Sequence, residues 1–164
     1  MRARFLLLFV LALATPVWGE GRDKSDREIR EALDHFLHAF ENLDIQSFMR
    51  CFARDATVFF PVPEPPNLFE GKEAIQDHFE QVFAAIRQSS NRTNPPFHRL
   101  VPEHLHVQLL GDASVLVTFQ MSNAERLARR TFVFQKRGER WLIVHLHASN
   151  VSGITATPTQ LNQP

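Results

Sequence analysis

Disulfide bonds and tyrosine chemistry are both excluded for this chain, which has one cysteine, Cys51, and 0 tyrosines among 164 residues. A lone thiol cannot form an internal disulfide, so the fold must be held by packing. The formal net charge is +0, so the chain lacks the basic excess expected of a nucleic-acid-binding protein. Beyond the N-terminus no apolar run approaches the roughly 20 residues that a membrane-spanning helix needs. A hydrophobic content of 44% is instead enough for one core.

The N-terminus has the pattern of a secretory signal peptide. Arg2 and Arg4 form the basic start, residues 5–14 are apolar, and Gly19 is the last small residue before Glu20. This pattern predicts that residues 1–19 are removed on export and that no membrane span remains afterwards. The mature protein is then secreted or periplasmic. Residues 26–151 are predicted to form one domain and residues 152–164 a flexible tail.

The periodicity of apolar residues predicts helices first and strands afterwards. Three helical stripes are formed by Ile29, Leu33, Phe36, Leu37 and Phe40, then by Ile45, Phe48, Met49 and Phe52, then by Ile75, Phe79, Val82, Phe83 and Ile86. Asp44 is the natural cap of the second helix. Alternation predicts strands at about 56–60, 101–109, 113–121, 127–134 and 141–149. This order is typical of an α+β domain with three N-terminal helices packed on an antiparallel sheet.

Several motifs resemble the nuclear transport factor 2-like superfamily. The run 52–58, followed by residues 71–75, is similar to ketosteroid isomerases and other SnoaL-like proteins. Segments 67–71, 104–107 and 141–149 resemble more closely the association domain of calcium/calmodulin-dependent kinase II and its bacterial relatives. The resemblance implies a cone-shaped, cystatin-like fold with a pocket between the helices and a curved sheet. It implies no particular reaction, because this fold hosts enzymes, binding modules and assembly domains.

Ketosteroid isomerase activity is excluded by the residues found where the resemblance implies catalytic groups. That chemistry needs a carboxylate base and two acidic hydrogen-bond donors that hold a dienolate oxygen. The base position falls on Phe60, the phenol position on Phe36 and the aspartic donor position on Arg130. None of these side chains can replace the group that the reaction needs.

The same comparison, together with strand alternation, predicts a pocket. Alternate side chains of a strand share a face, so Arg130 joins Phe132 and Phe134 on one strand, and His145 joins Ile143 and His147 on the next. The predicted ligand-binding residues are Phe36, Phe60, Arg130, Phe132, Ile143, His145 and His147. An arginine in such a pocket needs a partner, because an unpaired buried charge is very unfavourable. Glu64, Glu70 or a bound anion could fill that role.

Two functions from different classes fit this pocket. In the first, the chain is an exported binding or assembly module for a small, partly apolar anion, with a carboxylate as one candidate. In the second, it is a SnoaL-like enzyme in which His145 or His147 is the general base. We expect no metal and no cofactor, because a zinc site needs three or four protein ligands and the histidine pairs do not converge.

Alternation also predicts a homodimer. The reverse face of the last hairpin is expected to present Thr131, Val133, Leu142, Val144 and Leu146. A monomer rarely leaves such an apolar stripe in water. An isologous pairing of this stripe with its copy would cover it.

Overall fold

The computed structural model describes residues 18–62, 65, 67–122 and 126–152. The predicted signal peptide, apart from its last two residues, and the predicted tail after residue 152 lie outside this part of the chain. The helices are α1 (Trp18–Glu41), α2 (Ile45–Met49) and α3 (Lys72–Ser89). The strands are β1 (Phe52–Phe59), β2 (Leu68–Glu70), β3 (Glu103–Leu109), β4 (Ser114–Ser122), β5 (Arg126–Arg137) and β6 (Arg140–Ser152). None of the described helices is long and apolar enough to cross a membrane.

The predicted helical stripes pack into the core, except that Phe52, assigned to the second stripe, is the first residue of β1. Ile29, Leu33 and Phe36 of α1 are at most 5% exposed. Asp44 caps α2 as predicted, because its carboxylate accepts a hydrogen bond of 3.0 Å from the Ser47 backbone N–H. Gly71 precedes α3 at a φ of 83°, a conformation that glycine adopts without a steric penalty.

Six strands form one sheet in the order β2-β1-β6-β5-β4-β3. All neighbouring strands are antiparallel except β1 and β6, which run parallel with Val58 opposite Leu146. The α+β architecture with helices on a sheet is confirmed, and the parallel pair and the short strand β2 are additions to the predicted order.

Phenylalanines fill the space between the helices and the sheet. Phe48 of α2 contacts Phe36 and Phe79 at ring-centroid distances of 4.8 and 4.4 Å. Phe36 also meets the edge of Phe132 on β5 at 5.1 Å. Each fully buried phenylalanine contributes roughly 1.5–3 kcal/mol. This cluster therefore couples the helical layer to the centre of the sheet.

A β-bulge at Val144 changes the faces of β6. Val133 pairs with His145 while the next residue of β5, Phe134, pairs with Ile143, so Val144 is an extra residue on β6. The side chains after the bulge therefore point to the opposite faces from those that strict alternation predicts. Leu146 and Ala148 are 3% and 7% exposed and face the helices.

The bulge corrects the predicted placement of His145 and His147. Both side chains lie on the outer face of the sheet, where Thr57 Oγ1 and His145 Nδ1 form a hydrogen bond of 2.7 Å. The ring of His147 packs at 5.7 Å from that of Phe59, which is 37% exposed. Ile143 precedes the bulge and remains in the core at 0% exposure.

The bulge also alters the predicted dimerisation stripe. Thr131, Val133 and Leu142 pair with residues of the outer face and lie on it, as alternation predicts. Leu146 does not, because it is buried against the cavity between sheet and helices. The outer face therefore has histidines where an apolar residue was expected.

Candidate functional site

A cavity of about 260 Å³ lies between the helices and the inner face of the sheet. This volume is slightly below the usual range for small-molecule pockets, about 300–1,000 Å³. Helices α1 and α3 form one wall, strands β4, β5 and β6 form the other, and two loops complete it. The lining residues are Phe36, Leu37, Phe40, Phe60, Pro61, Val62, His78, Phe79, Val82, Leu100, Phe119, Met121, Arg130, Phe132, Leu146 and Ala148.

Four of the seven predicted ligand-binding residues line this cavity. Phe36, Phe60, Arg130 and Phe132 meet there although they come from α1, from the end of β1 and from β5. Ile143 lies deeper in the core, and His145 and His147 lie on the other side of the sheet. The structure thus brings together the aromatic wall and the arginine but not the histidines.

Arg130 is the one arginine, lysine or acidic residue among the described lining residues of the cavity. Its Nη1 donates to Arg129 O at 2.7 Å, to Ser149 O at 3.2 Å and to Asn150 Oδ1 at 3.4 Å. Burial lowers the pKa of Arg130 to about 10, and the nearby positive charge of Arg126 adds to this effect. The guanidinium nevertheless remains protonated at neutral pH.

The internal acids expected to pair with Arg130 do not do so in the described part of the chain. Glu70 lies exposed on β2, at the far edge of the sheet from β5, and Glu64 is outside the described residues. None of the ion pairs found among the described residues includes Arg130. The contacts that hold this guanidinium are thus with uncharged oxygens.

His78 is a cavity residue that the sequence patterns did not single out. It lies on α3, with its ring 3.9 Å from that of Phe60 and 4.6 Å from that of Phe69. Burial lowers the pKa of His78, which favours the neutral, proton-accepting imidazole. Helical spacing could have found it, because position 78 lies beside the stripe of Ile75, Phe79 and Val82.

The outer-face histidines have a different environment. Burial lowers the pKa of His145, and the neighbouring His147 lowers it further. Their contacts are Thr57 and Phe59, and neither histidine reaches the cavity. Across the described residues no group of three or more histidine, cysteine, aspartate or glutamate side chains could hold a metal ion.

Solved structures with the same fold come from several bacteria. A nuclear transport factor 2-like protein of unknown function from Pseudomonas putida is 21% identical, with a TM-score of 0.61 over 77% of this chain and 87% of that one. A candidate dehydratase from Streptomyces avermitilis is 18% identical, with a TM-score of 0.64 over 80% and 99%. A candidate calcium/calmodulin-dependent protein kinase II association domain from Xanthomonas campestris is 22% identical, with a TM-score of 0.60 over 89% and 98%. At these identities the likeness shows the fold alone.

The sequence itself matches a family model. The model of the SnoaL-like domain covers residues 29–153, from the buried start of the α1 stripe to the end of β6. The match includes every element that forms the cavity. The chain therefore belongs to the family of SnoaL-like domains, with the nuclear transport factor 2-like fold.

Proposed function

We propose that this domain is a binding module that holds a small, partly apolar anion in the cavity. The observation that carries the proposal is Arg130, a partly buried cation in a mostly apolar wall with no carboxylate partner among the described residues. A buried charge without a counter-charge is strongly unfavourable. A bound anion would supply that counter-charge.

The hydrogen bonds of Arg130 favour a planar anion such as a carboxylate. A guanidinium has five N–H donors, and the contacts within the described chain all involve Nη1. The edge formed by Nε and Nη2 is the one that pairs with two carboxylate oxygens. The phenylalanines around it would cover the apolar part of the same ligand.

Octanoate is a suitable probe of this site. We expect the wild-type protein to bind it in isothermal titration calorimetry, and Arg130→Gln to weaken binding at least about tenfold, which is 1.4 kcal/mol. Arg129→Gln is the matched control, because the preceding residue is exposed and lies on the opposite face of β5. Native mass spectrometry of the purified protein would show whether a small acid is retained.

Two results would contradict the proposal. One is that octanoate and related small acids do not bind to the folded wild-type protein. The other is that Arg130→Gln binds octanoate as tightly as the wild-type protein does. The circular dichroism spectrum of each variant shows whether weaker binding comes from the missing side chain or from unfolding.

An enzyme that performs acid–base chemistry in the same cavity is the second candidate. His78 supports it, because a neutral imidazole in a partly desolvated site can accept a proton. Two structures with this fold, from Streptomyces avermitilis and Novosphingobium aromaticivorans, are described as candidate dehydratases. In this version His78 replaces His145 and His147 as the base, since those two lie outside the cavity.

Dehydration of a β-hydroxy ketone would test this second candidate. In 4-hydroxyoctan-2-one, His78 would remove the proton next to the carbonyl, Arg130 would stabilise the enolate oxygen, and the hydroxyl would leave as water after protonation. The enone product absorbs in the ultraviolet. Formation by the wild-type protein and by His38→Gln, which changes an exposed histidine of α1, but not by His78→Gln, is the expected pattern. Equal rates with and without protein would eliminate this candidate.

We infer further that the protein is exported and that it forms a homodimer. Export is supported by the residues at 1–19, so intact-mass analysis should find a mature N-terminus at Glu20. Dimerisation is supported by the outer face of the sheet, where Phe59 is 37% exposed on the same face as Thr131, Val133 and Leu142. Both inferences are independent of the ligand.

A further inference from the structure

A second, polar space adjoins the cavity at Arg130. This space, the arginine groove, measures about 430 Å³ and is formed by the segment that precedes β3 together with β4, β5 and β6. It shares Leu100, Met121 and Arg130 with the apolar cavity. Arg130 thus lies at the boundary between an apolar space and a polar one.

The groove is positively charged. Arg99 and Arg126 line it together with Arg130, and Glu103 is the one carboxylate among its described lining residues. That carboxylate already accepts a hydrogen bond from Ser122 Oγ. Arg126 has interactions of its own, yet its charge acts on Arg130, whose pKa it helps to lower. A single carboxylate on Arg130 would leave Arg99, which is in none of the ion pairs found among the described residues, without an anionic partner.

His98 borders the groove and has a ring nitrogen without a hydrogen-bond partner among the described residues. The ring stacks on Phe40 at 5.2 Å, and its Nε2 is buried without a hydrogen-bond partner among the described residues. Most buried polar atoms in proteins have such a partner. Because Nε2 is shielded from solvent, the ring must turn towards the groove before its Nε2–H can donate to an anion there.

We propose that the ligand carries two neighbouring anionic groups on one apolar chain. The chain lies in the cavity, the first carboxylate pairs with Arg130, and the second enters the arginine groove towards Arg99 and His98. The ligand class is therefore an alkyl-substituted dicarboxylate of the succinate type. This inference rests on the proposed function, because it uses Arg130 as the anchor of the first carboxylate.

A matched pair of probes isolates the second carboxylate. 2-Hexylsuccinate is octanoate with a carboxymethyl arm on the carbon next to its carboxylate, so both compounds offer the same chain and the same first anion. We expect the wild-type protein to bind 2-hexylsuccinate at least about tenfold tighter than octanoate in calorimetric titrations. Because the extra interaction is between charges, the difference should shrink as salt is added.

Arg99→Glu changes the charge of the groove but replaces no residue that lines the cavity. Arg99 is exposed, and it lines the groove but not the cavity. The variant should therefore bind octanoate normally and lose the preference for 2-hexylsuccinate. Arg54→Glu makes the same change of charge at an exposed position of β1, and this control variant should keep the preference for 2-hexylsuccinate. His98→Phe should reduce the preference while retaining the stack on Phe40.

The outcomes separate this inference from the proposed function. If octanoate binds through Arg130 but 2-hexylsuccinate binds no tighter, the second anionic group is wrong and the binding module stands. If the preference exists but survives in Arg99→Glu, the groove does not supply it and the inference is again overturned. If neither compound binds, or if Arg130→Gln changes the binding of neither, the proposed function is wrong and the inference about a second anionic group is wrong with it.

Discussion

Arg130 shows how one residue can decide the chemistry of a cavity. Phenylalanine and methionine side chains around it can hold many apolar molecules, whereas in the proposed binding module a partly buried guanidinium would select a negative charge and a direction of approach. Its backbone contacts restrain Nη1 and hence the orientation of the whole planar group. Selectivity in this site should therefore depend on Arg130 more than on any single aromatic residue.

At the same scale, three partly buried histidines should make stability depend on pH. Burial lowers the pKa of His78, His98 and His145 below the ordinary value near 6.5. The unfolded chain then binds more protons than the native one below that value, so the free energy of unfolding decreases as pH falls. Urea unfolding at about pH 7.5 and about pH 5.5 should show this loss.

A single substitution tests the assignment. His78→Phe removes one of these groups and keeps an aromatic ring against Phe60 and Phe69. The loss of stability on acidification should be smaller in this variant than in the wild-type protein. His38→Phe, at an exposed position of α1, should leave the loss unchanged. An equal loss in all three proteins would show that His78 does not contribute.

At the scale of elements, the bulge in β6 has the largest consequence. It places Leu146 and Ala148 in the cavity wall and leaves His147 exposed on the outer face. Val144 has no partner on β5, whereas the residues on either side of it do. One inserted residue thus exchanges the two faces over half of a strand.

A pair of alanine substitutions measures this exchange. Leu146→Ala should lower the free energy of unfolding by about 2–5 kcal/mol, because it removes a buried side chain. His147→Ala should change it by no more than about 0.5 kcal/mol, as expected for an exposed position. Chemical denaturation of both variants would decide between the two faces. Without the bulge, His147 would be buried and Leu146 exposed, so His147→Ala would then be the more destabilising of the two substitutions.

At the scale of the whole molecule, the outer face of the sheet is the surface on which the proposed homodimer depends. The helices cover the inner face, whereas on the outer face Phe59 is 37% exposed and Val133 is half-buried. An isologous contact would bury these side chains against their copies. The two histidines would then lie within the contact.

Light scattering coupled to size exclusion tests the dimer. The wild-type protein should elute as a dimer at micromolar concentration, and Phe59→Asp should shift it to a monomer by placing a charge within the apolar contact. Leu110→Asp is the matched control, because Leu110 is 53% exposed in the turn between β3 and β4. A monomeric wild-type protein would rule the dimer out.

The sequence by itself determined the layers of this protein. The stripes of α1 and α3, the cap at Asp44 and the alternation of Arg130, Phe132 and Phe134 depend on contacts that repeat at fixed spacing along one element. Such spacing can be recognised in the sequence without knowledge of the partner strands. Spacing was sufficient for the layers and for the shared face of Arg130 and Phe132, whereas the cone-shaped fold and the places of Phe36 and Phe60 in the cavity came from the resemblance to nuclear transport factor 2-like proteins.

Only the tertiary structure decided which histidine shares the cavity with Arg130. The bulge at Val144 follows from how β6 pairs with β1 and β5 at once, and that pairing joins residues far apart in the chain. His78 enters the cavity because α3 crosses the end of β1, which helical spacing alone does not specify. The arginine groove likewise exists only where the segment before β3 approaches β5 and β6. Local periodicity predicts the face on which a residue lies as long as the strand has no bulge. Where long-range strand pairing introduces a bulge, only the three-dimensional packing determines which side chains form the site.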